Sequence, residues 1–181
     1  MPTRDAFCNS CGTKYPLPLA YPRTCTSCKQ MVWANPIPVG VGLVPVQVGE
    51  RTGLLVIRRA IPPGVGKLAL VGGFVEEHES WQRGLAREVH EEANVVVDPA
   101  RVEPLWFVSS EPKPNRVLLF GITEPIAKLP PFEADGETSE RGVIFGPEGL
   151  DPIFAFPLHA EAARRYFAAR KISGPNAFTS I

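Results

Sequence analysis

The chain has 181 residues, 44% hydrophobic and 21% charged, with 19 basic and 19 acidic side chains. That composition suits one packed domain with a small accessory module and excludes a disordered chain. The zero formal net charge removes any bulk electrostatic case for nucleic acid or an anionic membrane, and no apolar run approaches bilayer length.

The opening residues, MPTRDAFCNS, lack the apolar centre of a secretory signal. A cytoplasmic location is therefore expected, where disulfides rarely persist. Cys8 and Cys11 form one Cys-x2-Cys pair, and Cys25 and Cys28 form another. Two such turns can each offer two thiolates to one tetrahedral zinc. Gly12 follows the first pair, where positive φ would help the turn. A redox pair fits less well, because the two pairs stand together. With four protein ligands the zinc would be structural, supplying folding energy that so short a segment cannot obtain from burial. The expected division is a zinc ribbon over residues 1–34 and a second domain over 35–181.

Asn35-Pro36-Ile37-Pro38 reads as a linker. A strand is expected over Val39–Val48, despite Gly42 and Pro45, then a turn over Gly49–Gly53 and an apolar strand over Leu54–Arg58. Ile61–Gly66 is a Pro/Gly loop, and Leu68–Val71 a short strand running into Gly72-Gly73. Ser80 is a plausible N-cap for a helix ending at Ala93, with Asn94 as a left-handed stop. Further strands are expected over Leu105–Ser109, Arg116–Ile122 and Gly142–Phe145, with a long acidic loop over Thr123–Glu140. A last helix runs from Pro157 or Leu158 to Arg170, with Leu158, Ala162, Tyr166 and Ala169 as its buried stripe. The tail from Ser173 is expected to fray. Mixed strands and helices favour a sheet covered by helices.

The helix over Ser80–Ala93 carries a charge problem. On a helical wheel Glu88, Glu91 and Glu92 share one side, away from Leu85, Val89 and Ala93, and like charges at that spacing repel. Gly84, one turn before Glu88, costs about 1 kcal/mol against alanine and would let a ligand approach the helix. Three carboxylates at i, i+3 and i+4 can gather a hard divalent cation, which then draws in an anion. On spacing alone, a solvated acidic face with pairs such as Arg87 to Glu91 is the better reading. The context reverses it. From Gly73 the chain reads GFVEEHESWQRGLAREVHEEANV. This resembles the box of the Nudix hydrolase family, G-x5-E-x7-R-E-U-x-E-E-x-G-U, where U is bulky and aliphatic. Every defined position matches except the last glycine, which is Asn94.

The resemblance implies an α/β fold: a Nudix α/β/α sandwich with a mixed sheet, here preceded by the small N-terminal zinc ribbon. It implies hydrolysis of the diphosphate in a nucleoside diphosphate linked to another group, with Mg2+ or Mn2+. Glu88, Glu91 and Glu92 would be the metal ligands, helped by the carbonyl of Gly73 or Gly72. Glu79 and Arg87 would pair to orient loop and helix. Glu92 or Glu88 would take the water's proton, or a carboxylate of the acidic loop would. There Glu140 is preferred to Glu137, as base or additional metal ligand. The ribbon, the Asn-Pro linker and the Ala155-Phe156-Pro157 entry to the last helix resemble the zinc-ribbon branch that includes FAD and NADH pyrophosphatase-like enzymes. Ser110-Glu111-Pro112-Lys113-Pro114 lacks the Gln and Trp of the NADH-type signature, which weakens that substrate.

Arg58, Arg59 or Lys67 are candidates for phosphate, and Phe74, Trp106 and Phe107 for stacking on a base or flavin. His78, His90 and His159 show no metal pairing and are expected to be exposed or locally bonded. A nucleotide-diphosphate small molecule is the expected partner, with FAD, NADH or ADP-ribose foremost and neither membrane nor nucleic acid. Dimers are common among such relatives, yet nothing in the chain fixes the oligomer. The competing reading is a non-catalytic regulator that binds a nucleotide metabolite on the same fold.

Overall fold

The computed structural model describes residues 6–16, 20–110 and 116–181, and the chain forms two compact units, Met1–Pro36 and Ile37–Ile181. In the first unit, β1 (Arg23–Thr24) and β2 (Met31–Val32) pair antiparallel. Gly12 and Lys29, each four residues beyond the first cysteine of a pair, are left-handed, with φ of 71° and 63°. Their N–H groups donate back to the Cys8 and Cys25 carbonyls at 2.8 and 3.1 Å. Two matching turns result. Among the described residues the buried cluster here is only Cys8, Tyr15 and Cys25, far too little apolar area to hold a fold by burial.

The second unit begins with β3 (Ile37–Leu43), β4 (Pro45–Val48), β5 (Arg51–Arg59), β6 (Leu68–Ala69) and β7 (Val71–Phe74). Next come α1 (Trp81–Ala93), a 3-10 turn at Pro99–Arg101, β8 (Glu103–Ser109) and β9 (Arg116–Ile122). The chain closes with β10 (Thr138–Ile144), α2 (Leu150–Ile153), α3 (Pro157–Ala169) and β11 (Phe178–Ser180). One sheet runs β7-β3-β9-β8; the other runs β11-β10-β5-β4, with β6 on β5. Pairing is antiparallel except for β3 with β9, which is parallel. This is the expected α/β fold with a mixed sheet.

Strand alternation builds two cores. Leu54 and Val56 of β5 join Tyr166 and Phe167 of α3, while Leu55 and Ile57 join Leu85 and Val89 of α1. Burying a side chain such as Leu85 contributes about 1.5–3 kcal/mol at most. Ser80 caps α1 as expected: its Oγ accepts from the Arg83 N–H at 3.3 Å.

Several expectations move once strands have partners. The turn after β4 shrinks to Gly49-Glu50, because Arg51 to Gly53 pair with β4. β10 starts earlier, at Thr138, because Glu140 and Arg141 pair with Arg58 and Ile57. The tail does not fray from end to end: Phe178–Ser180 forms β11 against β10. On α3 the buried stripe is rotated. His159, Ala160, Ala162, Ala163, Tyr166 and Phe167 are buried, Leu158 is half-buried and Ala169 is exposed. A stripe drawn from hydropathy alone put His159 outside, whereas α3 packs it over the Phe120 ring, with centroids 5.9 Å apart.

Candidate functional site

A cleft of about 1180 Å³ opens in the second unit, lined on one side by Gly72, Gly73, Glu88, Glu91 and Glu92. β7 is an edge strand of its sheet, and such a strand leaves backbone amides unpaired. The Gly72 N–H donates to Glu92 Oε2 at 2.9 Å. A Cβ on Gly73 would lie 2.3 Å from Glu88 Oε1; only glycine lets that carboxylate rest on the strand. Gly84 serves differently from expectation. A Cβ there would lie 2.8 Å from Glu79 Oε1, so the space belongs to Glu79 and not to a ligand.

Arg87 organises the acids. It pairs with Glu79 at 2.9 Å and donates to the Phe74 carbonyl at 2.9 Å, tying β7, the following loop and α1 together. Its Nη1 also donates to Glu88 at 2.8 Å and Glu91 at 2.9 Å. The guanidinium holds the Glu79 carboxyl below its usual range. Burial pushes Glu88 up, against the pull of Arg87. Burial also pushes Glu92 up to about 8, with Glu88 and Glu137 adding repulsion and the Gly72 amide and Arg59 opposing it.

The donor set fits a divalent cation. Hard cations take carboxylate oxygens, and oxygens of Glu88 and Glu91 already converge on one cationic nitrogen. The fit is looser than at the thiols. Among the described residues, only Cys8, Cys11, Cys25 and Cys28 bring ligand atoms within 4.8 Å of one another. Cys8 Sγ lies 3.7 Å from Cys28 Sγ, and Cys11 Sγ lies 3.7 Å from Cys25 Sγ. The Tyr15 hydroxyl, with backbone amides, draws the Cys8 thiol down to about 6. Four converging sulfurs could hold zinc.

The far wall follows from register. Phe74 lies opposite Val39 on β3, and Leu118 and Phe120 of β9 lie opposite Val39 and Val41. Arg116, Leu118 and Phe120 therefore share a face. The Arg116 guanidinium stands 5.3 Å from the Phe74 ring at one end. About 13 Å along the strand, at ~3.3 Å per residue, Phe120 meets His159. Phe156 tilts against His159 with centroids 4.9 Å apart, and Arg59 stands 5.0 Å from the Phe156 ring. Arg59 and Arg116 both line the cleft, and neither has an acidic partner among the described residues.

Other sequence candidates lie elsewhere. Arg58 and Glu140 face each other across β5 and β10 and pair at 2.5 Å, outside the cleft. Arg58 holds the Glu140 carboxyl below its usual range. Alternation decides this: Arg59 points in, so Arg58 points out. On the acidic loop it is Asp135 and Glu137 that reach the cleft. Lys67 is exposed and outside it, as is Phe107, which is 74% exposed. Trp106 stacks on Phe120 at 5.3 Å as part of the core. Glu111, Pro112, Lys113 and Pro114 lie outside the described residues. The sequence does not single out Arg116, and it reads Phe156 and His159 only as a helix entry and an exposed or locally bonded histidine, not as cleft residues. Only the alternation within Arg116–Phe120 could have raised the first.

The chain matches the NUDIX domain family over residues 36–168. Among solved structures it is similar to a NUDIX hydrolase from Nitrosomonas europaea, at 28% identity and a TM-score of 0.72, covering 91% of this chain and 92% of the other. It is similar in fold to the NUDIX domain of Shewanella oneidensis NrtR complexed with ADP ribose, at 16% identity and a TM-score of 0.64, covering 76% and 90%. A C. elegans Ap4A hydrolase binary complex is also similar in fold, at 14% identity and a TM-score of 0.58, covering 75% and 98%.

Proposed function

As the chain belongs to the NUDIX domain family, we propose that it hydrolyses the diphosphate of a nucleoside diphosphate linked to a second moiety, with a dinucleotide as the substrate. The observation that carries this is one cleft in which Glu88, Glu91, Glu92 and Glu137 meet two arginines free of acidic partners among the described residues, Arg59 and Arg116. Carboxylates alone would repel a diphosphate. Mg2+ or Mn2+ held by Glu88, Glu91 and Glu92 would neutralise phosphate charge and acidify an attacking water.

The chain's own groups supply the rest. Arg59 and Arg116 bind phosphate or ribose oxygens through charge-assisted hydrogen bonds. Phe74 and Phe156, each beside one arginine, offer planar surfaces at the two ends of the cleft, which suits a substrate with two ring systems. Arg87 and Glu79 hold α1 against the β7 strand. A carboxylate takes the water's proton. Glu92 on α1 and Glu137 in the loop are the candidates, both lining the cleft, and Glu140 is set aside because Arg58 occupies it. The four cysteines hold a structural zinc in the ribbon.

Turnover on a panel of FAD, NADH, ADP-ribose, CoA and nucleoside triphosphates with Mg2+ or Mn2+ tests the reading. Hydrolysis of at least one dinucleotide to two monophosphates is expected. Tight binding of one compound with no turnover of any would replace the enzyme with a nucleotide-sensing regulator.

A further inference from the structure

We infer that Asn94 and Arg141 form a latch that holds the acidic loop between β9 and β10 across the mouth of the glutamate cleft, which makes Asn94 a positioning residue. The inference rests on the hydrolytic reading only for its catalytic consequence; the latch itself is a matter of hydrogen bonds.

Asn94 ends α1 with φ 54° and ψ 31°, its N–H donating to the His90 carbonyl at 2.9 Å. Glycine would adopt that conformation at less cost, so capping gives no reason for asparagine. The side chain gives one: Asn94 Oδ1 accepts the Glu133 N–H at 2.9 Å, across 39 residues of sequence. Arg141 makes the same connection from β10. Its Nη1 donates to the Ala93 carbonyl and its Nη2 to the Pro130 carbonyl, both at 2.7 Å. The guanidinium also stands 5.3 Å from the Phe132 ring. Arg141 is 3% exposed and has no ion pair among the described residues. Its two Nη groups donate to backbone carbonyls, one on the helix and one on the loop, and its buried Nε has no hydrogen-bond partner among the described residues.

Beyond the latch the loop is tied once more. The Ala60 N–H donates to the Glu137 carbonyl at 2.7 Å, and Asp135 Oδ1 accepts from Glu137 and Thr138. The segment between the two ties carries Asp135 and Glu137 into the cleft that Glu88, Glu91 and Glu92 also line. Acid facing acid pushes the loop away. The Asn94 acceptor and the buried Arg141 guanidinium hold it there through hydrogen bonds to backbone groups.

The test compares wild type with Asn94→Gly, which keeps the left-handed cap and removes the acceptor, and Asn94→Asp, which keeps an acceptor. Amide hydrogen exchange over 130–137 is read first, without metal or substrate. Asn94→Gly should lose protection at Glu133 by about tenfold or more while global stability holds, and Asn94→Asp should keep it. On the substrate the panel identifies, Asn94→Gly should lower kcat about tenfold with KM nearly unchanged, and Asn94→Asp should restore it. In a Glu137→Gln background the Asn94→Gly loss should shrink, because the two then act through one group. Wild-type exchange in Asn94→Gly overturns the latch. Lost protection with unchanged kcat, or an undiminished loss in the Glu137→Gln background, overturns the positioning role. A wild type that turns over nothing sinks the hydrolytic reading, and the exchange comparison still decides the latch.

Discussion

The two units gather ligands in opposite ways. In the N-terminal unit, four thiols converge within 4.8 Å, with Cys8, Tyr15 and Cys25 the buried hydrophobic cluster among the described residues. In the cleft, two full cores set the backbone first, and the carboxylates are then parked on Arg87 and the Gly72 amide. A site that must fold its own surroundings needs its metal permanently. A site built on a finished scaffold can take up a cation together with its substrate, because folding does not depend on it.

Removing zinc should break the comparison most visibly if it is wrong. Chelation of the reduced protein should unfold the N-terminal unit, where a bound zinc would contribute on the order of 10 kcal/mol, and leave the cleft unit's cooperative melting in place. Amide spectra of both units check this, after metal analysis has found one zinc per chain. Loss of both units at once would mean that the second also depends on the metal.

Substituting Glu88→Gln should do the reverse. Turnover should fall by about 100-fold or more, about 2.7 kcal/mol of transition-state stabilisation, while the melting temperature stays or rises, since a desolvated carboxylate is relieved. Single-turnover kinetics beside calorimetry separate the two effects.

The scaffold carries its own pH signature. Burial draws His159 down to about 3, so the imidazole is neutral in the fold and protonates near 6.5 when unfolded. Between those values the unfolded chain binds more protons, and stability rises with pH by up to about 1.4 kcal/mol per unit. The contribution is complete above about 6.5 and is lost as pH falls toward 3. Urea titrations from pH 4 to 7 should show a shallower slope in His159→Gln than in wild type.

The smallest effect sharpens the cleft's outline. Arg59→Gln should raise KM about tenfold, or ~1.4 kcal/mol of binding, whereas Arg58→Gln, on the outer face, should leave KM unchanged. Equal effects would mean that strand alternation does not divide their roles.

How legible each feature was depended on how local its cause was. The cysteine pairs, the Ser80 cap, the Asn94 stop and the glutamate spacing are each written within a few residues, so local chain order was enough to place them. Helical period alone brings Glu88, Glu91 and Glu92 to one side. Which arginine entered the cleft, which loop acid faced it, and why His159 is buried were decided only by tertiary structure. Each depends on pairing between distant segments: β5 with β10 sets Arg58 on Glu140, and α3 over β9 covers His159. A one-residue change of register between β5 and β10 would turn Arg58, Arg59 and Glu140 to the other face.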